Sequence, residues 1–488
     1  MLQKGLSISK IIKNKPIDVN WHLLATESVP AESVAEVAER LEGLESLGFD
    51  FQSGLLAIAV LLIVSIVSEK FGSKVGIPGS IILFFLGLFS HVTGFSFEHF
   101  PLEEVHVVAL SVLLFFSGLS FDRSLLKRNK LLSRSIQLAV FGTVLSMVFL
   151  TIYLRIGMGV FSSTAGILEG IPGNVFSLMA VVIIAALSVQ DWNSFVFVSH
   201  KIKDFSAILT NIFKVETAIS ASISVAVAEL AIYFWLTLNP HIDATRGHEL
   251  IASIFTGIFL GAATGLVLGW LLTSLIRFLI TSKAQLVLAA IAFTFLGYVI
   301  TFVIVEQGGY LCALVMGVVT SNLYRSSSTE HEMEFLSESL ESLNIASESI
   351  LFFAIGLGLE TMHFFRHLPF AFYAWLGIVL IRPIVVTLFF RSDLIPNEEK
   401  IMLSSFSPKG AISMALVVTA PEMLKETFSL EIVNFLPEES LTFMTDTVCG
   451  AVLISMIVKS VFIPRLHANL RGKISLPGDE ENALRLEQ

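Results

Sequence analysis

The sequence predicts an all-α polytopic membrane protein of about 13 transmembrane helices, arranged as two inverted six-helix repeats with broken helices 5 and 12. Three observations carry this. First, 54% of the 488 residues are hydrophobic and only 15% are charged, with a mean hydropathy of +0.79; a soluble chain carries about 25% charged residues. Second, apolar runs of about 20 residues, long enough to cross a bilayer, recur along the chain. Third, two of those runs are interrupted by polar, helix-weakening stretches at corresponding places in the two halves.

The elements follow in order. Residues 1–50 form a polar N-terminal tail without the apolar core of a secretory signal. Within it Val34, Val37, Leu41, Leu44 and Leu47 recur at helical spacing among glutamates, which predicts a short amphipathic helix over 31–48. The crossings then fall at 53–71, 77–93, 105–121, 133–156, 173–190 and 207–237, followed by a long seventh at 250–280. The second half gives 285–304, 307–322, 345–363, 368–390, 400–420 and 442–466. Residues 51–467 thus make one transmembrane domain, and 468–488 a short tail. Connectors are short and polar, and leave no room for a soluble domain between crossings.

Charge placement sets orientation. The loop "DRSLLKRNKLLSR" (122–134) is strongly basic, and Lys70, Lys74, Lys201, Lys203, Arg277, Lys283, Arg325, Arg391 and Lys400 fall on the same side. The opposite loops hold only Arg155, Arg246, Arg366 and Lys425. The C-terminus is therefore predicted to be cytoplasmic and, with an odd number of crossings, the N-terminus outside. A net charge of −10 argues against nucleic acid as a partner. Cys312 and Cys449 sit in apolar runs and read as buried thiols; no cofactor or resident metal is expected.

A charge inside the bilayer costs a few kcal/mol or more and defaults to a functional residue (about 2.5–3.5 kcal/mol on insertion scales). Candidates are Asp191 at the end of segment 5, Glu216 and Glu229 in segment 6, Glu348 in segment 10, Arg382 in segment 11 and Lys409 in segment 12. Lys214 and Lys459 lie near enough to segment ends to snorkel. Arg382 precedes Pro383 and is placed to hold carbonyls freed by a helix break. "SVQDWNS" (188–194) is polar where segment 5 should still be crossing, and "SSFSPKGAISMAL" (404–416) puts Pro408 and Gly410 around Lys409. Broken helices at matching positions in two halves point to a transporter's midplane site.

These motifs together resemble the monovalent cation/proton antiporters of the sodium/proton exchanger type, over nearly all of residues 53–466. The stretches that carry the resemblance are "LLFFSGLSFDRSLLKR" (113–128), "VEQGGYLCALVMGVV" (305–319), "SESILFFAIGLGL" (347–359) and "SPKGAISMAL" (407–416). In the last, Lys409 stands where the family has arginine, and in the third Glu348 is a family-type acid. The resemblance implies a cation and proton site built from a Thr-Asp-Pro break in segment 5 and an Asn-Asp pair in segment 6. It further implies that a glutamate five residues before that aspartate pairs with the basic residue of the segment-12 motif, and that the protein is a homodimer.

The departures matter as much. Aligning "FKVETAISAS" (213–222) puts Glu216 on the pairing glutamate, Ser220 on the asparagine and Ala221 on the aspartate. In segment 5, either Asp191 or Gln190 takes the family acid's place; Asp191 is preferred, because an acid beside a helix break keeps the chemistry. The first function reading is a cation/proton exchanger of a plasma (inner) membrane that uses Asp191 with Gln190, Ser188, Ser220 or Ser222 as neutral ligands, with Glu216 and Lys409 as a structural pair. The alternative is a degenerate antiporter fold without cation exchange. No zinc spacing, nucleophile elbow or phosphate loop supports an enzyme, and the histidines fall mostly in predicted loops.

Overall fold

The structure, a computed structural model, describes residues 51–90, 102–121, 129–164, 173–202, 205–237, 247–279, 282–304, 308–325, 330–390, 395–418 and 438–474. The chain divides into two units, Met1–Leu56 and Ala57–Gln488; in the first only residues 51–56 are described, and they are helical. The expected amphipathic helix over 31–48 lies outside the described residues.

Every element found is helical: α1 (Phe51–Val75), α2 (Gly79–Ser90), α3 (Leu102–Leu119), α4 (Asn129–Gln137), α5 (Thr143–Thr164), α6 (Gly173–Ser188), α7 (Trp192–Ser199) and α8 (Ala207–Thr237). A π turn at Leu138–Gly142 joins α4 to α5. Then come α9 (Gly247–Phe278), α10 (Lys283–Ile304), α11 (Gly309–Arg325), α12 (Glu330–Gly358), α13 (Thr361–Phe389) and α14 (Asn397–Ser405). A further helix, α15 (411–418), precedes α16 (Glu438–Ile474). No strand occurs among the described residues.

The apolar runs match these helices in order, with differences at their ends; the helix of segment 10, for example, begins at Glu330 rather than 345. Segment 10 ends at Gly358 rather than 363, because Gly356, Gly358 and Glu360 interrupt a run that hydropathy alone reads as continuous. Segment 11 starts earlier as a result, at Thr361. The last helix continues to Ile474, well past the expected end at 466. Five helices are by themselves long and apolar enough to cross a bilayer, and six if the bent pair α6–α7 counts as one span. Four more apolar helices are shorter, so about 13 full-length spans is more than length and composition support among the described residues.

Packing pairs the halves as an inverted repeat requires. The second helix of the first half, α2, packs on the third of the second half, α12, and α3 packs reciprocally on α11. Helix α9 lies against α11 along Gly261, Gly265 and Gly269, where an added Cβ would meet the Gly308, Cys312 and Met316 carbonyls at 2.5–2.9 Å. Such small-residue stripes let helix backbones approach where water supplies no driving force. The outer faces of α9 and α10 expose Phe255, Phe259, Val267, Trp270, Val299 and Val303. An apolar surface of that extent suits hydrocarbon rather than water. Cys312 and Cys449 are buried free thiols, as expected.

Candidate functional site at the crossing of two broken helices

Both expected breaks exist. Helix α6 stops at Ser188 and α7 starts at Trp192, bent by 40° across the gap. Helix α14 stops at Ser405 and α15 starts at 411, with Pro408 and Gly410 between. The two gaps cross each other: the Asp191 N–H donates to the Pro408 carbonyl at 3.0 Å. Ser194 Oγ donates to the Lys409 carbonyl at 2.8 Å, which ties the start of α7 to the same strand of backbone.

Four helix ends therefore converge, and the charges sort themselves by dipole. Asp191, 1% exposed, is the N-cap of α7 and accepts from Ser194 N–H (3.3 Å) and Ser194 Oγ (2.9 Å). Its carboxyl also lies against the backbone N–H of Ala411, the first residue of α15. Two positive helix ends thus face one carboxylate. Gly410 makes this possible, since a Cβ there would run into Asp191 Oδ2 and Ser194 Oγ.

The two negative ends are each met by a lysine. Lys409 Nζ donates to the Val189 carbonyl, just past the end of α6, at 2.6 Å. Lys459, on α16, donates to the Ser407 carbonyl, just past the end of α14. Both lysines are buried, at 2% and 5% exposure. The Gln190 amide, oriented to suit its neighbours, accepts from Lys409 Nζ (3.2 Å) and donates to the Pro408 carbonyl (3.1 Å). A narrow cleft lined by Ser194, Pro408, Lys409, Lys459 and Ser460 reaches this point. Beside it Phe195 packs between Phe213 and Phe406 at ring-centroid distances of 4.7 and 5.4 Å.

The remaining expected residues distribute as follows. Ser220 Oγ accepts from the Gln190 N–H at 3.0 Å, so it braces the break. Ser188 Oγ donates back to the Ile184 carbonyl within α6 (2.7 Å), and Ser222 is half-buried on α8. Ala221 is buried in the core cluster. Glu348 is half-buried on α12, accepts from Ser80 Oγ at 3.1 Å and is bonded by the Asn193 side chain. Asn193 is itself paired with Asn344 at 2.6 Å, so this network reaches α7, and the Glu348 carboxyl lies within electrostatic range of Asp191. Glu229 lies on α8, but its side chain is outside the described residues.

The pairing of Glu216 differs from expectation. Its partner is Arg382, not Lys409: Nη2 lies 2.7 Å from Oε2, and Nη1 meets Oε1. The planar guanidinium satisfies both carboxylate oxygens at once, while the Lys409 ammonium is committed to Val189. Arg382 does hold a carbonyl as well, Leu403 in the last turn of α14, at a long 3.4 Å. Lys459 does not snorkel. Because α16 runs to Ile474, this lysine sits in mid-helix; only its charge within an apolar run marked it in the sequence. Among the described residues no group of His, Cys, Asp and Glu side chains forms a metal centre.

The family of sodium/hydrogen exchanger transmembrane proteins matches residues 57–468, most of the chain. This chain belongs to that family. Its members are transporters, not enzymes. The fold of this exchanger-family protein resembles the sodium proton antiporter MjNhaP1 from Methanocaldococcus jannaschii at pH 8, with TM-score 0.65 and 17% identity over 86% of this chain and 99% of that one. An electron-microscopy structure of the same antiporter gives TM-score 0.66 and 16% identity over 88% and 99%. Among curated proteins none matches by sequence. This exchanger-family chain has the segment-5 break and the buried glutamate that the sequence resemblance implies, and its two breaks cross. It carries Ala221 where the second acid is expected and brings two lysines to the crossing.

Proposed function

We propose that the protein exchanges a monovalent alkali cation, Na⁺ or K⁺, for protons by alternating access, with the Asp191 carboxyl as the group that proton and cation share. One observation carries the proposal: Asp191 is buried at the crossing, and no salt bridge among the described residues occupies it, whereas Glu216 is consumed by Arg382. A buried carboxylate needs a positive charge beside it, and either a proton or a dehydrated cation supplies one. Gln190 and the hydroxyls of Ser188 and Ser220, with Ser222 on the same helix as Ser220, are hard oxygen donors that suit alkali cations. The basic loops support a cytoplasmic C-terminus and an outer N-terminus in a plasma (inner) membrane, and family membership supports a homodimer.

A second reading has its own observation. The carbonyls of Val189 and Ser407, oxygens that a cation would use at such a crossing, are held by Lys409 and Lys459. With Ala221 in place of an acid, that arrangement also fits a fold that has lost exchange. Purified protein in liposomes with a trapped pH dye separates the two. Exchange requires that a Na⁺ or K⁺ gradient move protons through the wild type and that Asp191→Asn abolish this. An inactive wild type supports the second reading.

A further inference from the structure

A second set of titratable side chains lies away from the crossing, where α13 and α16 begin. Glu360 occupies the N-cap position of α13, and its carboxylate lies 3.6 Å from His363 Nδ1, with side-chain exposures of 66% and 42%. One helical turn further, the ring of His367 follows at a centroid distance of 6.3 Å. His367 Nδ1 then reaches Asp446 Oδ2 on α16 at 2.7 Å, with side-chain exposures of 10% and 0%. Spacings of three and four residues put Glu360, His363 and His367 on one face of α13. The series runs from open surface to full burial.

The inner end is built to hold a proton. Asp446 Oδ1 is buried without a hydrogen-bond partner among the described residues. Phe443 stands edge-on to the His367 ring at 5.1 Å, and Cys449, one turn along α16, is a further titratable side chain close to the carboxyl, which His363 and Glu360 also reach electrostatically. With one proton on Nδ1, the pair carries the net negative charge of its carboxylate in an apolar surround. One more proton, on His367 Nε2 or on the carboxyl, makes the pair neutral overall, and burial favours neutrality.

We infer that His367 and Asp446 form a second proton-binding site, loaded from the surface through His363 and Glu360, which adjusts exchange to the pH at the face where α13 begins. The link to transport is mechanical. Helix α13 carries Arg382 to the ion pair with Glu216, and α16 carries Lys459 to the Ser407 carbonyl. Protonation changes the bond that clamps these two helices together. The proton site stands on its own geometry; only its effect on exchange rests on the function proposed above.

Two measurements on the full chain test it. The first is histidine-selective NMR of purified protein, assigned with His363→Gln and His367→Gln. The His367 signal should change with pH, and Asp446→Asn should displace that change along the pH axis. A His367 signal that does not titrate, or that ignores Asp446→Asn, overturns the site. The second is exchange in oriented liposomes with the pH varied on one face at a time. His367→Gln should lose the response to pH at the α13 face while keeping its response at the other. His363→Gln, at a more open position, should weaken the same response with an unchanged melting temperature. Unaltered profiles in both variants overturn the link to transport. A wild type without exchange defeats the function proposal, and the NMR result still decides the proton site.

Discussion

Glu216 on α8 and Arg382 on α13 form a two-pronged ion pair with both side chains buried, 2% and 5% exposed. Removing one partner strands a charge in the core, at a cost of about 3–5 kcal/mol. Arg382→Met or Glu216→Gln should therefore lower the melting temperature sharply. The double variant should recover much of the loss, because no lone charge remains. Equal losses in the single and double variants would show that the pair is not coupled as described.

The lysines at the crossing hold carbonyl oxygens that a cation would otherwise use. Lys459→Met frees the Ser407 carbonyl. The cation concentration for half-maximal exchange should fall by about fivefold or more. Steady-state rates against Na⁺ and K⁺ measure this, and an unchanged or raised concentration would count against competition.

Gly410 is the contact that lets Asp191 sit against α15. A Cβ there collides with the carboxyl and with Ser194 Oγ. Gly410→Ala should displace the carboxylate and cut exchange by about 100-fold. Vesicle assays on protein that still elutes as a single folded species make the comparison. Near-normal exchange would mean that the Asp191 position is not set by this approach.

Much of the architecture was legible in the sequence, because bilayer crossing demands long apolar runs and the breaks demand residues that weaken helices. "SVQDWNS" and the Pro408–Gly410 stretch announced both gaps of the crossing. What failed was partner choice. Which cation meets Glu216 depends on how α8, α13 and α15 pack, and Arg382 wins by reach and planarity, neither of which is local. Lys459 was assigned to the membrane surface because hydropathy ended the helix at 466, while the α-helix continues on polar residues to Ile474. The His367–Asp446 pair went unseen for a related reason. His367 stood in a presumed connector between segments 10 and 11, and Asp446 near a segment end, so neither looked buried.

At the start of α14, ahead of its apolar part, Glu399 accepts from Ser206 Oγ while its other carboxyl oxygen is buried without a partner among the described residues. Burial pushes its carboxyl above the usual range; the Ser206 bond pulls partly back, and Glu398 adds to the rise. A carboxyl whose folded-state value is raised stabilises fully below its unfolded value, and that contribution is lost as pH rises through the folded value. Glu399→Gln has no such loss. Its melting temperature relative to wild type should therefore climb as pH rises above the ordinary glutamate value of about 4.3. A difference that is flat or falls with pH would contradict this.

In the proposed exchange, proton and cation share the Asp191 carboxyl. Proton release from purified protein in weak buffer on addition of Na⁺ or K⁺ tests it without any membrane gradient. About one proton per protein should be released from the wild type and none from Asp191→Asn. Full release from Asp191→Asn, with the fold intact, would show that the exchanging group is elsewhere.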